Sequence, residues 1–182
     1  MRTELTANRV RGIAIGVMIA AGFGCAWLFW SLAAMRKISA VTSIGVELGA
    51  LALVAAAVYV ARQAKRWPRL PGDPAIMRRF VWINAIQWAA IVAVVVGFAR
   101  LHIDAYEASA ITVIVGLHYL PLARLFHFPM HYATGAVLMG WSVVSALLFS
   151  PDAVEGAAAM GTGVILWVSA VAMLALVMRE MV

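Results

Sequence analysis

Cysteine is all but missing from this chain: Cys25 is the only one in 182 residues, and it sits inside an apolar run. An intrachain disulfide is therefore excluded, and Cys25 reads as a small apolar residue of the kind usually found buried. Charge is scarce too. Only 12% of the residues are Asp, Glu, Lys or Arg, about half the share in a soluble domain. Catalytic signatures are also lacking. There is no Walker A loop, no Gly-x-Gly-x-x-Gly fingerprint, no Gly-x-Ser-x-Gly elbow and no His-Glu-x-x-His. No helix-turn-helix, zinc-finger or RNA-binding pattern accompanies the net charge of +6, so we expect no nucleic-acid partner. We expect no cofactor and no metal either.

What is there is hydrophobicity. The chain is 65% apolar, more surface than a soluble fold of this length can hide, whereas a bilayer solvates outward apolar faces. Six runs have about the length needed to cross a ~30 Å hydrocarbon core: Gly12–Met35, Val41–Ala61, Phe80–Ala99, Ala108–Phe126, Tyr132–Phe149 and Gly156–Met178. None alternates as a barrel strand does. The expected fold is an all-α integral membrane protein, a single six-helix transmembrane bundle. The first run follows Arg2, Arg9 and Arg11 as a signal peptide would, but its apolar core is longer than the usual 7–15 residues, which favours an uncleaved helix.

Lys and Arg set the orientation. Eleven of the fourteen lie before the first run, in the segment 62–79, at Arg124 and at Arg179, while the opposite side holds Arg36, Lys37 and Arg100. The positive-inside rule then puts both termini in the cytoplasm. We expect a multi-pass protein of the plasma membrane, of the bacterial inner-membrane type. The segment 62–79 is rich in proline and is expected to be a basic loop resting on anionic lipid headgroups.

Two small-residue patterns point to helix packing. Gly12, Gly16, Ala20 and Gly24 recur every four residues, and Gly45 and Gly49 form a second pair; such stripes let helices approach closely, within one chain or in a homo-oligomer. Ser142, Ser145 and Ser169 fall inside runs, where bonding to the preceding turn is the ordinary use.

Polar residues inside the runs are the candidates for function. Glu47 lies about two turns below the outer end of the second run, and an ionisable group at such depth is a functional candidate by default. Asn84 and Gln87 are three apart and share a helix face. The segment 116–135 carries His118, Tyr119, Arg124, His127 and His131, with Pro121 expected to kink the fourth helix near His118. His127 and His131, four apart, would share a face on a helix, but two imidazoles do not make a zinc site. Broken helices and intramembrane polar groups point first to a transporter or channel-like protein, with Glu47 or His118 as its proton carrier. A non-catalytic assembly or sensor subunit is the alternative, since the glycine stripes suit it. A lipid- or quinone-modifying enzyme, using the His and Arg residues at headgroup level, is the third reading.

Overall fold

A computed structural model describes residues 6–181. All the regular structure in them is helical: α1 (Ala7–Ala34), α2 (Ala40–Gln63), α3 (Pro74–Leu101), α4 (Glu107–Leu125), α5 (Met130–Leu148) and α6 (Pro151–Glu180), with short 3-10 turns at Ala64–Arg66 and Asp104–Tyr106. Each of the six long helices is long and apolar enough to cross a membrane. Arg2, counted above among the basic residues, lies outside the described residues.

The helices outrun the apolar stretches at their charged ends, because caps set a helix start independently of hydrophobicity. α1 begins at Ala7 rather than Gly12, where the Thr6 hydroxyl accepts from the Arg9 backbone N–H at 3.2 Å. α3 begins at Pro74 rather than Phe80 and so takes in Arg78 and Arg79. Asp73 caps it by accepting from the Ala75 N–H at 2.8 Å, and Pro74 fills a first-turn position that needs no N–H. Pro151 starts α6 five residues before Gly156 in the same way. The expected loop 62–79 is thereby reduced to residues 67–73, since 62–66 complete α2 and its 3-10 turn. These residues fold back onto the start of α1, where the Ala7 N–H donates to the Pro68 carbonyl at 3.0 Å and the Asn8 side chain to the Leu70 carbonyl at 2.8 Å.

α1 and α6 form the central antiparallel pair. At one end Arg9 pairs with Glu180 at 3.0 Å; at the other the Ser31 hydroxyl donates to the Gly156 carbonyl at 2.8 Å. α2 lies along α1 and touches α6. α4 and α5 make a second antiparallel pair against α6, and α3 packs on α4. α3 is the loosest element, with no buried residue. The α1–α6 crossing depends on glycine on both sides: a Cβ on Gly163 would lie 2.9 Å from the Gly24 carbonyl oxygen, and one on Gly24 would lie 3.2 Å from that of Gly163. At the α4–α5 crossing, a Cβ on Gly135 would lie 2.6 Å from the Gly116 carbonyl oxygen. Close backbone approach through small residues is how helices gain van der Waals contact in lipid.

Within the chain only part of the four-residue stripe packs. Gly12 and Gly16 face open space, as does Gly45, while Ala20 and Gly24 are buried and Gly49 meets the Trp167 ring. The reason is geometric. At 3.6 residues per turn, a four-residue step advances about 40° past a full turn, so three steps carry the stripe about 120° around the helix. The buried face instead alternates steps of three and four through Ala7, Val10, Ala14, Val17, Ala21, Gly24, Leu28 and Ser31, the seam that stays turned toward a partner helix.

Hydroxyls stitch the second layer together. The Thr112 and Thr162 hydroxyls are 2.7 Å apart, the Ser142 hydroxyl donates to the Ser109 carbonyl at 2.7 Å, and Thr134 donates to Ser169 at 3.0 Å. Ser142 and Ser169 thus bridge helices instead of bonding only to their own turns. Ser145 does both, donating to the Ser142 carbonyl at 2.9 Å and lying 3.3 Å from the Ser109 hydroxyl.

Candidate functional site

α3 is held away from α1 by side chains, and a cavity of about 240 Å³ lies between them, closed at its back by α4 and α6. Four of the polar residues singled out in the sequence line it: Asn84 and Gln87 from α3, and His118 and Tyr119 from α4. The rest of the wall is apolar and largely aromatic, with Phe23, Trp27 and Trp30 from α1 and Trp88 from α3, backed by Ile111, Val115 and Leu166. Among the described residues no Asp, Glu, Lys or Arg lines it.

The polar residues sit well inside their helices, away from the ends. Asn84 is ten residues into α3, about 15 Å from its start, and His118 is seven residues from the end of α4, about 10 Å. Asn84 and Gln87 share a face because they are three apart. Asn84 donates from Nδ2 to the Phe80 carbonyl at 2.7 Å, which steadies the side chain. α4 runs through Pro121 without interruption, although proline cannot supply the N–H that would reach back to Leu117.

His118 is the least satisfied group at the site. Both of its ring nitrogens are buried, and neither has a hydrogen-bond partner among the described residues. Its ring stands edge-on to Tyr119, centroids 6.0 Å apart. Tyr119 in turn faces His131 at 5.3 Å, and His131 faces Phe128 at 5.1 Å. A row of rings therefore leads from the cavity toward the α4–α5 turn. An imidazole is donor and acceptor at once, and leaving both unmet in a buried place costs free energy unless something pairs with them.

The remaining candidates lie elsewhere. Glu47 is on the exposed side of α2, which packs against α1 and α6 and contributes nothing to the cavity wall. Arg124 and His127 are exposed at the α4–α5 turn. His127 has a left-handed backbone, φ 50°, and the Phe128 N–H behind it closes onto the Ala123 carbonyl at 3.1 Å, so it ends α4. His131 is inside α5 while His127 precedes it, so the spacing of four does not place the two imidazoles on one helix face. Among the described residues no group of three His, Cys, Asp or Glu is arranged to hold a metal ion.

Sequence reasoning missed the α1 side of the site. In the sequence Trp27 and Trp30 fall near the end of the first apolar run, a position that suits an interfacial aromatic belt. In the fold their rings stack at 5.0 Å, Trp27 is buried, and the Trp30 indole N–H donates to Glu155 at 2.7 Å. Ile19 and Phe23 had no polar signal to mark them.

The chain matches no protein-family model, no curated protein and no solved structure.

Proposed function

We propose that this protein is a small multi-pass transporter of the plasma membrane, with both termini cytoplasmic, that takes a small amphipathic molecule into the cavity between α1, α3 and α4. The observation that carries the reading is the convergence of Asn84, Gln87, His118 and Tyr119 on one cavity well inside the helices, with both His118 nitrogens unmatched among the described residues. Polar groups in a spanning segment are costly and mark substrate pathways. Glu47 stands outside this site, so the proton-carrying role falls to His118 alone.

The test is native mass spectrometry of the protein released from nanodiscs that were formed directly from host membrane. The wild-type chain should carry a reproducible extra mass that His118→Leu loses while keeping its helical content. A bare chain, or the same adducts in both proteins, refutes the reading. Orientation is tested by single cysteines at positions 70 and 103 in a Cys25→Ala background, probed with a membrane-impermeant maleimide. Position 103 should label in intact cells and position 70 only in inverted vesicles; the reverse pattern overturns the orientation.

A second reading, a subunit that acts by assembling with a partner, is favoured by Glu47. It is exposed on α2, about 10 Å from that helix's start. A carboxylate facing lipid at that depth is expensive, and a partner helix would relieve it. Loss of a co-purifying subunit in Glu47→Gln, with the cavity adduct absent, would select this reading.

A further inference from the structure

We infer that the ligand is an uncharged ring bearing carbonyl or hydroxyl oxygens on an apolar tail, the chemistry of a quinone or quinol, and that it enters sideways from the lipid between α1 and α3. The inference rests on the reading of the cavity as a binding site and specifies what that site takes.

Size comes first. A cavity of about 150 Å³ holds a benzene ring, so 240 Å³ holds one ring with a few substituents and no more. Charge comes next. Among the described residues no Asp, Glu, Lys or Arg lines the wall, so a cationic headgroup would be buried without a counter-ion and an anionic one would have only a protonated His118 to meet it; an uncharged group avoids both costs. Polarity follows. Gln87, His118 and Tyr119 together offer donors and acceptors, which match ring oxygens, while Trp27 and Trp88 offer flat faces of the kind on which a ring stacks.

The route is set by exposure. Phe23 and Trp88 line the cavity, yet they are 47% and 52% exposed on the outside of the bundle. Their rings, 6.3 Å apart and tilted, bridge α1 and α3. Both lie well within spanning helices, so the opening faces lipid. Outside it a shallow groove continues along α1, lined by Met18, Ile19, Gly22, Phe23 and Ala26, with no polar side chain. It shares Ile19, Phe23 and Ala26 with the cavity. A headgroup inside and an alkyl tail in the groove occupy both without burying a charge.

The experiment is quenching of tryptophan fluorescence in nanodiscs by a decyl-substituted benzoquinone and by the same quinone without its tail, with decyl phosphate, which does not quench, read by its displacement of the decyl quinone. The decyl quinone should quench saturably. His118→Leu should weaken it by roughly three- to tenfold, the value of one neutral hydrogen bond. Gly22→Phe fills the groove; an added Cβ there meets nothing within 4 Å, and unchanged helical content checks that the variant folds. The substitution should weaken the decyl quinone and spare the tailless one. Gly45→Phe, on α2 and equally open, should change neither. Quenching that does not saturate, or that ignores both His118→Leu and Gly22→Phe, overturns the inference, as does tighter binding of decyl phosphate. If the inference fails while native mass spectrometry still finds a His118-dependent adduct, the binding site stands and only its ligand class falls. If no such adduct exists, both fall.

Discussion

Replacing Gly135 by alanine puts a methyl carbon 2.6 Å from the Gly116 carbonyl oxygen and 3.2 Å from the Tyr119 Cβ. A relaxed carbon–oxygen contact is about 3.3–3.6 Å, so α4 and α5 must separate by roughly 0.7 Å at their crossing. Neither partner atom can step aside by a rotamer change, because one belongs to backbone and the other is a Cβ. Overpacking of this sort costs about 1–3 kcal/mol. Alanine returns up to about 1 kcal/mol over glycine in a helix, which leaves a net loss of up to about 2 kcal/mol. Gly12→Ala is the matched control: its methyl meets nothing within 4 Å, so only the propensity gain remains and the sign reverses. The measurement is unfolding by sodium dodecyl sulfate in mixed micelles, followed by far-ultraviolet circular dichroism. Gly135→Ala should unfold at lower detergent fraction than wild type, and Gly12→Ala at the same or a higher one. Equal midpoints for the two variants would mean that α4 and α5 do not meet backbone to backbone at Gly116 and Gly135.

Two weaker contacts make smaller predictions. Thr112→Val removes the hydroxyl that reaches Thr162 at 2.7 Å; interhelical hydrogen bonds in membranes average about 0.6 kcal/mol, so the same unfolding assay should show a loss under about 2 kcal/mol, and a larger one would mean that Thr112 does more than pair. Glu180→Gln breaks the exposed pair with Arg9 and should cost less than about 1 kcal/mol, shrinking further in 0.5 M salt; a loss insensitive to salt would show that the pair is not acting as an ion pair.

The number of helices long and apolar enough to span a membrane was legible because lipid imposes a length of about 20 apolar residues on any span. Their ends were not. Thr6, Asp73 and the prolines at 74 and 151 start helices among charges, and capping is invisible to an apolarity count. Partner choice was hidden for a deeper reason. In water a packing face is the apolar one, but in lipid every face is apolar, so nothing in composition separates the buried seam of α1 from Gly12 and Gly16. The serines carried a signal that was read as local because a hydroxyl bonds its own turn or a neighbouring helix with equal ease.

Half of the candidate site was written in polar residues and half was not. Asn84, Gln87, His118 and Tyr119 stood out because lipid tolerates them poorly; that they would meet followed only from α3 packing back along α4. Phe23, Trp27 and Trp30 gave no such warning, and Trp88, deep in its run, read equally as packing or as the wall of an apolar pocket, since an aromatic that lines a cavity and one that faces lipid have the same sequence. Their placement accounts for where the cavity opens. The α1–α6 and α4–α5 pairs are locked by glycine crossings, which leave little room for relative movement. α3 has no buried residue and meets α1 through the Phe23 and Trp88 rings. Free energies of local opening are lowest where buried contacts are fewest. The α1–α3 side is therefore the wall that can yield to a ligand, and the polar residues stand behind that wall.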